Sequence, residues 1–542
     1  MTAISSTRRS RGDPRSAALK ACVFATGLAG IVAEYTMATL ASYLLGDAVL
    51  NWTLIISLML FAMGLGSRLS RALRGPLLDA FVAVELALSL LVAVSVPLAY
   101  LLSVYIEATG LVIYSLAFAI GLLIGVELPL VTRLNQQFED LRLNIGSVME
   151  KDYYGALLGG VLFAVIGLPH LGLTYTPVAL GTVNFVVAAY LFGRYRGAFA
   201  RPRWVAAGCL AVAAGLIAIA ALAQPIVRYG EQQKYRDRVV YEEQTRFQRI
   251  VITRWKDHHW LYLDGHQQFS SFDQELYHEP LVHPAMALAA CRRRVLIVGG
   301  GDGLALREVL KHRGVAAITV VELDPAMTRL ATTHPVLRRL NGGAFEDPRV
   351  EVVHRDGYGY LLDSREIFDV VIVDLPDPRA VSLARLYSRP FYELASRHLG
   401  PGGVLVTQAT SPFFSRLAFL SILKSMRAAG LGAVPYHNHV PTMGEWGFVL
   451  GLRLAEPGAS GAESANRASG AESADRAGTR VRSRLMELDF AGLETRFLNP
   501  DAMVSMLHFG KGTLDGAGEI EVSDESNLAV FYYYRDSDWD LY

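Results

Sequence analysis

The sequence of 542 residues is poor in cysteine and in charge. Its three cysteines, Cys22, Cys209 and Cys291, lie far apart and have no paired metal-ligand spacing. We therefore expect neither a disulfide framework nor a bound metal. Only 19% of the residues are charged, and 51 Lys and Arg balance 51 Asp and Glu. Because nucleic-acid-binding domains usually carry a basic excess, this balance argues against a nucleic-acid partner.

Apolar residues, by contrast, are abundant. They make up 52% of the chain, and the mean hydropathy of +0.29 excludes a purely soluble or disordered protein. Long apolar runs fill residues 17–227, each near the roughly 20 residues that a helix needs to cross a bilayer. We predict an all-α, multi-pass transmembrane domain over residues 1–227 with about seven helices, which makes the lipid bilayer a partner. The predicted spans are 18–43, 49–66, 78–101, 109–132, 154–173, 176–193 and 204–224.

Positive residues mark every second loop of this domain. They precede the first span and recur around Arg71, Arg142 and Arg196, whereas the intervening loops carry almost none. Because Lys and Arg are enriched in cytoplasmic loops, the N-terminus is predicted to lie in the cytoplasm. An odd number of spans then places every residue after 227 on the opposite side of the cell membrane.

Three glutamates, Glu34, Glu85 and Glu127, interrupt the apolar runs. An ionised carboxylate inside a bilayer costs at least ~2.5 kcal/mol, so such groups usually face protein or water. Two interpretations stay open. One is a path or site for a cation such as a polyamine, and the other is a set of carboxylates that hydrogen-bond between helices.

The composition changes near residue 224, where charged residues return. Strand patterns at 248–253 and 260–263, with the turn signal Asp264-Gly265, predict a small β domain over 228–290. Strand and helix patterns then alternate, which predicts a Rossmann-like, doubly wound parallel sheet over 291–455.

A tandem repeat, ASGAESANR followed by ASGAESADR, begins at residue 459. Its small and polar residues bury too little surface to offset chain entropy. We therefore predict a disordered insertion over 456–480. Residues 481–542 are predicted to be the C-terminal segment of the same domain and a tail.

The first motif with chemical meaning is VGGGDG, which follows a strand and opens a helix. Its glycines Gly299, Gly301 and Gly303 let the backbone approach a bound nucleoside. Glu322 ends the next strand about 20 residues on, where a carboxylate can bind ribose hydroxyls. Leu304 stands where a dinucleotide fingerprint would have glycine, whereas the spacing G-x-G-x-G suits S-adenosylmethionine-type binders. A purely structural glycine turn is the alternative.

Acidic residues follow two further strands. Asp356-Gly357 comes after the third strand, where it could contact a nucleoside base or serve as a helix N-cap. Asp374 and Asp377 lie in DLPDP after the fourth strand, at the edge where open α/β sheets bind ligands. Such a pair could hold an ammonium group and take a proton from an attacking amine, or it could be a solvated acidic turn.

The segment DQELYHE at 273–279 adds acids, an aromatic residue and a histidine ahead of the sheet. Each of these residues alone would more often lie on a helix surface. Together with Asp302 and Asp374 they predict a negatively charged pocket suited to a polycation.

Eight segments of the C-terminal half carry a family resemblance. They are YHEPLVHPAM at 277–286, VLIVGGGDG at 295–303, VVELDP at 320–325, DPRVEVVHRDG at 347–357, FDVVIVDLPDP at 368–378, FYELASRHLGPGG at 391–403, PTMGEWGF at 441–448 and TRFLNPDAM at 495–503. These segments resemble the polyamine aminopropyltransferases, the spermidine synthase family. The resemblance covers roughly residues 237–453 and 481–510, and the apolar runs make the chain similar to the membrane-bound, multi-pass branch of that family.

The resemblance implies a class I methyltransferase-like fold and an aminopropyltransferase. Such an enzyme moves the aminopropyl group of its co-substrate, decarboxylated S-adenosylmethionine, to a polyamine acceptor. Putrescine is the expected acceptor, and spermidine and methylthioadenosine are the expected products. No prosthetic group is implied, and the family suggests a homo-oligomer, either a dimer or a tetramer.

Residue roles are implied where the motifs match. The residues that would contact the co-substrate are Gln248, Gly299, Gly301, Gly303, Glu322, Asp356 and Gly357. The residues that would face the polyamine are Tyr277, His278, Asp302, Asp377 and Trp446, and Asp374 would be the proton acceptor. A primary amine that attacks the carbon next to a sulfonium must be neutral and in line, which agrees with a carboxylate base at close range.

Three positions depart from the family pattern. Arg379-Ala380-Val381 replaces a usual Gly-Pro pair, Gln274 stands where an acid is common, and Met443 stands where an aromatic residue is frequent. These differences bear on the loop over the site and on the length of the acceptor amine more than on the reaction type.

Two other functions stay open: a methyltransferase on the same fold, and a polyamine transporter or sensor whose soluble part only binds ligand. The acidic residues argue against the methyltransferase, and the membrane glutamates motivate the transporter. Decarboxylated S-adenosylmethionine is expected to be made in the cytoplasm. Its origin favours a cytoplasmic catalytic domain, on the side opposite to the one that the loop charges predict.

Overall fold

The structure is a computed structural model that describes residues 14–45, 48–106, 108–453 and 467–539. It divides into two units, residues 1–237 and residues 238–542. The first unit extends past the predicted boundary at 227, because its last helix continues to Lys234 beyond the apolar run.

The described part of the N-terminal unit is helical. Its helices overlap the predicted apolar runs, as expected when backbone polar groups must be satisfied within each segment. The α-helices are α1 Pro14–Leu45, α2 Ala48–Ser70, α3 Leu77–Ser103, α4 Thr109–Asn135, α5 Leu141–Leu162, α6 Gly172–Tyr195 and α7 Pro202–Lys234. A π-helical segment, Phe163–Leu171, joins α5 to α6, and a 3₁₀ turn, Arg196–Ala198, follows α6. The predicted span 154–173 is divided mainly between α5 and the π-helical segment that follows it.

Among the described residues, six stretches are long and apolar enough to cross a membrane. One of them, Leu141–Ala198, is a continuous helical stretch that contains two of the seven predicted spans. It is not straight, because Gly172 has a φ of +63° and the Thr176 hydroxyl donates to the Gly167 carbonyl oxygen over 3.0 Å. Nine residues of straight helix would separate these two residues by about 13 Å. The chain therefore turns back at Gly172.

Contacts at two heights along each helix pair establish the helix directions within this unit. The parallel pairs are α1 with α5, α2 with α4, and α3 with α7. The contacts that show this are, for the first pair, Gly27 near Asp152 and Tyr35 near Gly160; for the second, Met59 near Gly121 and Met63 near Gly125; and for the third, Leu86 near Gly208 and Tyr100 near Gly230. Helices α3 and α6 are antiparallel, since Ser89 hydrogen-bonds with Gly181 and Asp79 with Ala200. Near the ends of α1 and α7, the Tyr43 hydroxyl donates to Glu231 over 3.1 Å. The start of α1 and the end of α7 therefore lie at opposite ends of the bundle.

The C-terminal unit begins with a four-stranded antiparallel sheet in the order β1-β2-β3-β4. Its strands are β1 Arg238–Gln244, β2 Arg249–Trp255, β3 His258–Leu263 and β4 His266–Ser270. Asp264 and Gly265, with φ of +49° and +84°, form the tight turn between β3 and β4. The predicted strands and their hairpin are present in this sheet, whereas a separate small β domain over 228–290 stays a prediction.

A seven-stranded sheet follows, in the order β10-β11-β9-β8-β5-β6-β7. Its strands are β5 Arg294–Gly299, β6 Ala317–Glu322, β7 Val350–His354, β8 Phe368–Asp374, β9 Leu399–Gln408, β10 Leu431–Val440 and β11 Gly444–Arg453. Strands β5 to β9 are parallel, and β11 is antiparallel to its two neighbours, β9 and β10. The predicted Rossmann-like sheet is confirmed. The strand order reverses between β5 and β8, and a reversal of this kind opens a crevice at the carboxyl ends of the strands.

Helices cover both faces of this sheet. Val295 and Ile297 of β5 pack into one buried cluster, whereas Leu296 and Val298 pack into another on the opposite face, as strand alternation requires. The helices are α8 Glu275–Leu288, α9 Leu304–Leu310, α10 Pro325–Thr333, α11 Pro335–Leu340, α12 Gly357–Asp363, α13 Val381–Ala384, α14 Arg389–Arg397, α15 Arg416–Ala428, α16 Arg467–Met486, α17 Pro500–Met506 and α18 Ala529–Arg535.

The disordered insertion predicted over 456–480 is corrected in part. Residues 454–466, which hold most of the first repeat, lie outside the described residues. The second repeat lies in α16, a helix where disorder was predicted. Ala, Glu and Arg favour helix, and α16 is anchored by Val481 and Leu485, which are buried in the domain core.

Candidate active site

A cavity lies at the carboxyl ends of β5, β6 and β8, beside the reversal of strand order. Folding brings to it residues that the sequence separates by more than a hundred positions. The predicted site residues that line it are Gln248, Tyr277, His278, Gly299, Gly301, Asp302, Glu322, Asp356, Gly357 and Asp374.

The glycine motif forms one wall of this cavity. Gly299 and Gly300 have φ of +82° and +63°, a conformation that favours glycine. A Cβ atom at Gly301 would lie 2.5 Å from Oε2 of Glu322, so only glycine leaves room for the backbone beside that carboxylate. Gly303 does not line the cavity. Its φ of +83° and its close approach to Phe345 serve the turn into α9, which corrects its expected contact with the co-substrate.

Glu322 ends β6 beside the glycine motif. It accepts a hydrogen bond from the Asp324 N–H over 2.9 Å, and burial, with contributions from Asp324 and Asp302, raises its pKa to about 7. The Gln248 amide reaches the same wall and donates to Asp324 over 3.2 Å. A carboxylate placed against a glycine turn in this way can accept hydrogen bonds from the two hydroxyls of a ribose.

Asp356 has two roles in the structure. Its carboxylate accepts a hydrogen bond from the Gly359 N–H over 2.8 Å and caps α12, while the residue also lines the cavity. Gly357 packs close to Val298, where a Cβ atom would lie 2.5 Å from Cγ1. The helix cap therefore holds this corner of the cavity in place.

Asp374 is the last residue of β8 and lines the cavity. The Tyr277 hydroxyl donates to its Oδ1 over 2.9 Å. Burial raises the pKa of Asp374 to about 6; Asp302 adds to the rise, whereas His278 and the Tyr277 hydrogen bond lower it. A carboxylate with this pKa is ionised at neutral pH and can still accept a proton from an amine.

A second, smaller pocket adjoins the first and shares Gln268, Tyr277, Leu375 and Pro376 with it. Asp377 and Trp446, which were predicted to face the polyamine, line this second pocket, as do Arg379 and Met443. Burial raises the pKa of Asp377 to about 6, and hydrogen bonds from Tyr534, Gln408 and Thr410 oppose the rise. Asp374 and Asp377 thus line two adjoining pockets, with one carboxylate in each.

Sequence reasoning missed the residues that hold the turn between these carboxylates. The Gln408 amide donates to the Leu375 carbonyl oxygen over 2.8 Å, and the Tyr387 hydroxyl donates to that of Pro376 over 3.0 Å. Both side chains are buried. The only signal in the sequence is a glutamine at the end of an otherwise apolar strand.

The acidic segment 273–279 differs from its prediction, because its carboxylates are used within the fold. Asp273 accepts hydrogen bonds from the Thr442 N–H and hydroxyl. Glu279 accepts three backbone N–H groups, those of Arg496, Phe497 and Leu498. Only Tyr277 and His278 of this segment line the cavity, so the acidic residues there are Asp302, Glu322, Asp356 and Asp374.

The site can bind a nucleoside at one end and a cation at the other. Glu322, Asp356 and the glycine turn suit the nucleoside, and Asp377 suits an ammonium group. Asp374 lies between them, where it can take a proton from a nitrogen that attacks a bound electrophile.

Comparisons with known proteins agree with this geometry. Residues 274–457 match the family described as "Spermine/spermidine synthase domain". Polyamine aminopropyltransferase 2 of Aquifex aeolicus is 44% identical over 81% of this chain and 88% of its own length. Polyamine aminopropyltransferases of Leptospira interrogans and Oceanobacillus iheyensis are 38% and 36% identical, over 78% and 89% of this chain and 84% and 90% of their own lengths.

Solved structures of spermidine synthases also match. One is a complex with the transition-state analogue AdoDATO, with a TM-score of 0.42 and 26% identity over 51% of this chain and 88% of that one. The enzyme from Thermotoga maritima matches with a TM-score of 0.41 and 26% identity, over 51% of this chain and 87% of that one.

High identity over most of the length of several relatives, together with the family match across the seven-stranded sheet, determines the assignment. The chain belongs to the spermine/spermidine synthase family of polyamine aminopropyltransferases, enzymes that use decarboxylated S-adenosylmethionine as co-substrate.

Proposed function

We propose that this enzyme transfers the aminopropyl group of decarboxylated S-adenosylmethionine to putrescine, giving spermidine and methylthioadenosine. The observation that carries the proposal is the position of Asp374, which lines the main cavity together with Glu322, while Asp377 lines the adjoining smaller pocket. The co-substrate would place its ribose on Glu322 and its aminopropyl chain towards Asp302 and Asp374.

The reaction follows from this arrangement. The amine nitrogen forms a bond to the aminopropyl carbon while the bond from that carbon to the sulfonium sulfur breaks, and the sulfur leaves as a neutral thioether. The proton lost by the nitrogen passes to the Asp374 carboxylate, which the Tyr277 hydroxyl orients. Since the sulfonium is already an activated leaving group, the residues have only to align the amine and keep it neutral.

Two features of the second pocket support a diamine as the acceptor. The pocket is small, about 30 Å³, and one carboxylate, Asp377, lines it beside the Arg379 guanidinium. A longer polyamine would bring a further ammonium group against that cation. Putrescine, with a single distal ammonium, fits the charge of this pocket best.

The test is aminopropyl transfer by the purified protein and by Asp374→Asn. We expect the substitution to lower kcat by about a hundredfold or more, because it removes the general base, while co-substrate binding is retained. Asp257→Asn, at an exposed turn between β2 and β3, is the matched control and should be fully active. Full transfer activity in Asp374→Asn would contradict the assigned role.

The methyltransferase alternative uses the same cavity. It predicts methyl transfer from intact S-adenosylmethionine and no turnover with decarboxylated S-adenosylmethionine and a diamine. The paired carboxylates Asp374 and Asp377 favour a cationic acceptor over this alternative.

A second candidate function, polyamine transport or sensing, is supported by the N-terminal unit. Glu85 of α3 is fully buried, and neither of its carboxylate oxygens hydrogen-bonds with a residue that the structure describes. Its neighbour Glu127, on α4, is also buried. Buried carboxylates without a counter-ion within a membrane helix bundle are typical of cation pathways.

Flux measurements in vesicles separate transport from synthesis. Transport predicts that Asp374→Asn keeps polyamine flux, whereas Glu85→Gln and Glu34→Gln lose it. Glu150→Gln, on the exposed side of α5, is the control. Loss of flux in Asp374→Asn together with normal flux in Glu85→Gln would contradict transport and leave synthesis as the remaining function.

We also propose that the protein is a multi-pass protein of the cell membrane, and that residues after 237 lie on its non-cytoplasmic side. The last turns of α2, α4 and α6 each contain an arginine, namely Arg68, Arg133 and Arg194. The last turns of α1, α3 and α5 contain no basic residue. The arginine-rich end is the one where α1 starts, and α7 ends at the other. By the positive-inside rule the arginine-rich end lies in the cytoplasm, so that the end of α7 lies on the non-cytoplasmic side, as the loop charges predict. The expected origin of the co-substrate favours the cytoplasm instead.

Labelling of Cys291 decides the side. This thiol is exposed, whereas Cys22 is buried and Cys209 is half-buried. We expect an impermeant thiol reagent to label intact cells, and Cys291→Ser to remove the label. Protection of Cys291 until the cells are lysed would place the catalytic unit in the cytoplasm. Size measurement of the detergent-solubilised protein tests the further proposal that it is a dimer or a tetramer.

A further inference from the structure

The second pocket has walls from two different sheets. Gln267 lines it from β4 of the four-stranded sheet, whereas Met443 and Trp446 line it from the turn between β10 and β11 and from the start of β11. Because β4 and the β10–β11 hairpin belong to different sheets, the distance between these walls depends on side-chain contacts rather than on a strand ladder. The width of the pocket therefore depends on what joins the two walls.

A chain of hydrogen bonds through Thr442 joins them. The Gln267 side-chain amide donates to the Thr442 hydroxyl over 2.7 Å. That hydroxyl donates in turn to Oδ1 of Asp273 over 2.9 Å, and the Thr442 N–H donates to Oδ2 over 2.8 Å. An ionised carboxylate only accepts hydrogen bonds, so the single hydroxyl proton of Thr442 points to Asp273 and its oxygen is left to accept from the amide. Each of the three side chains thus has one fixed direction of bonding.

Helix α8, which Asp273 precedes, anchors this chain. Two further hydrogen bonds join α8 to β10: the Asn438 amide donates to the Leu276 carbonyl oxygen over 2.7 Å, and the Tyr436 hydroxyl donates to the Pro280 carbonyl oxygen over 2.9 Å. The bonds to Thr442 extend this row beyond the end of β10. The row holds the helix and the hairpin together, so that β4 meets a fixed acceptor.

We propose that Gln267 and Thr442 determine acceptor specificity, by holding the second pocket at a width that admits a diamine and excludes a longer polyamine. The inference rests on the proposed aminopropyl transfer to putrescine. A longer amine has to move the Gln267 wall away from the Met443 wall, and this movement breaks the bond between Gln267 and Thr442. The cost of that bond opposes the binding of spermidine and leaves the binding of putrescine unaffected. The same bond therefore keeps the enzyme from using its own product as an acceptor.

The test is Thr442→Val in the full-length protein, which removes the hydroxyl and keeps the shape of the side chain. We expect the ratio of kcat/KM for putrescine to kcat/KM for spermidine to fall about tenfold, as for the loss of one hydrogen bond, with the KM for the co-substrate unchanged. Thr442→Ser, which keeps the hydroxyl, is the matched control and should keep the ratio. Gln267→Leu removes the same bond from the other wall, leaves Asp273 bonded to Thr442, and should lower the ratio to the same extent.

A double-mutant cycle separates this role from a general loosening of the fold. In the Gln267→Leu background we expect Thr442→Val to change the ratio no further. Falls that add in the double variant, equal losses of kcat/KM for both amines, or an unchanged ratio in Gln267→Leu would each overturn the inference. Aminopropyl transfer to neither amine by the unsubstituted protein would instead overturn the proposed function.

Discussion

Asp374 and Asp377 lie three residues apart on one turn, and their neighbours separate their roles. Asp374 accepts the Tyr277 hydroxyl beside the cavity that suits a nucleoside. Asp377 faces the smaller pocket and is held by Gln408 at 3.2 Å. Burial raises the pKa of both to about 6. The proposed base and the proposed ammonium-binding group are therefore both ionised at neutral pH and are both protonated in mild acid.

The pH dependence of the reaction follows at the residue scale. Activity should fall as the pH drops through about 6, because Asp374 must be ionised to accept a proton. Tyr277→Phe removes a hydrogen bond that lowers the pKa of Asp374, so that the acid limb of kcat should shift to higher pH. Profiles of kcat at saturating putrescine, from about pH 5 to about pH 9, measure this shift. The exposed Tyr532→Phe is the control, and superimposable profiles for Tyr277→Phe and the unsubstituted enzyme would contradict the assignment.

Sequence motifs predict some residues of the site and not others. Glu322, Asp356 and Asp374 could be predicted because each ends a strand or follows one in an open α/β sheet. Gln408 and Tyr387 could not, because they come from other segments and hold the turn 375–377 only after folding. Asp273 and Glu279 show the reverse case, in which an acidic motif is used entirely for hydrogen bonds within the fold.

At the scale of elements, small residues determine how closely the helices of the N-terminal unit pack. A Cβ atom at Gly159 of α5 would lie 2.6 Å from the Leu28 carbonyl oxygen of α1, whereas one at Gly64 of α2 would meet no described atom within 4 Å. Close approach of this kind replaces the hydrophobic driving force that helices lack in a membrane.

The close approach of α5 to α1 predicts that replacing glycine by valine has different effects at two positions. Gly159→Val should push α5 away from α1 and destabilise the protein by about 1–3 kcal/mol, as overpacking does in other cores. Gly64→Val should have little effect. The thermal unfolding midpoint of each variant in the same detergent measures the difference, and equal midpoints would rule out the proposed contact between α1 and α5.

Helix α16 and the turn at Gly172 are the elements that the sequence pattern described least well. The composition of the repeat predicted disorder, yet the second repeat lies in α16, and Val481 and Leu485 anchor the C-terminal end of that helix in the core. The apolar run from 154 to 193 was divided by length alone, whereas the positive φ at Gly172 and the Gly167–Thr176 contact place the actual turn. In both cases long-range packing overrides local composition.

At the scale of the whole molecule, every described residue of the site belongs to the second unit, residues 238–542. The two carboxylates and the glycine turn lie entirely within this unit. The composition of the first unit, with its arginines at one end, suits orientation in a bilayer.

This division predicts that the catalytic unit works after release. A protease site inserted between Tyr235 and Arg238 should allow cleavage of the purified protein into a bundle that stays in detergent and a fragment that stays in aqueous solution. We expect that fragment to keep kcat within about twofold, as separate domains usually retain their own sites. The uncleaved protein with the same insertion is the control. Loss of kcat on cleavage, with the fragment still folded by circular dichroism, would mean that the bundle contributes to catalysis.

The sequence alone determined the division into an apolar and an α/β half, the Rossmann-like sheet, the family resemblance and the strand-end carboxylates. These features depend on local periodicity and on residues close together in the chain, which a linear reading contains. The tertiary structure decided which carboxylates face the cavity, which ones cap backbone groups, where the apolar run 154–193 turns, and that Gln408 holds the turn between the two site carboxylates. Burial and hydrogen-bond partners are properties of the packed chain, so the same acidic residue can be a base in one place and a structural anchor in another.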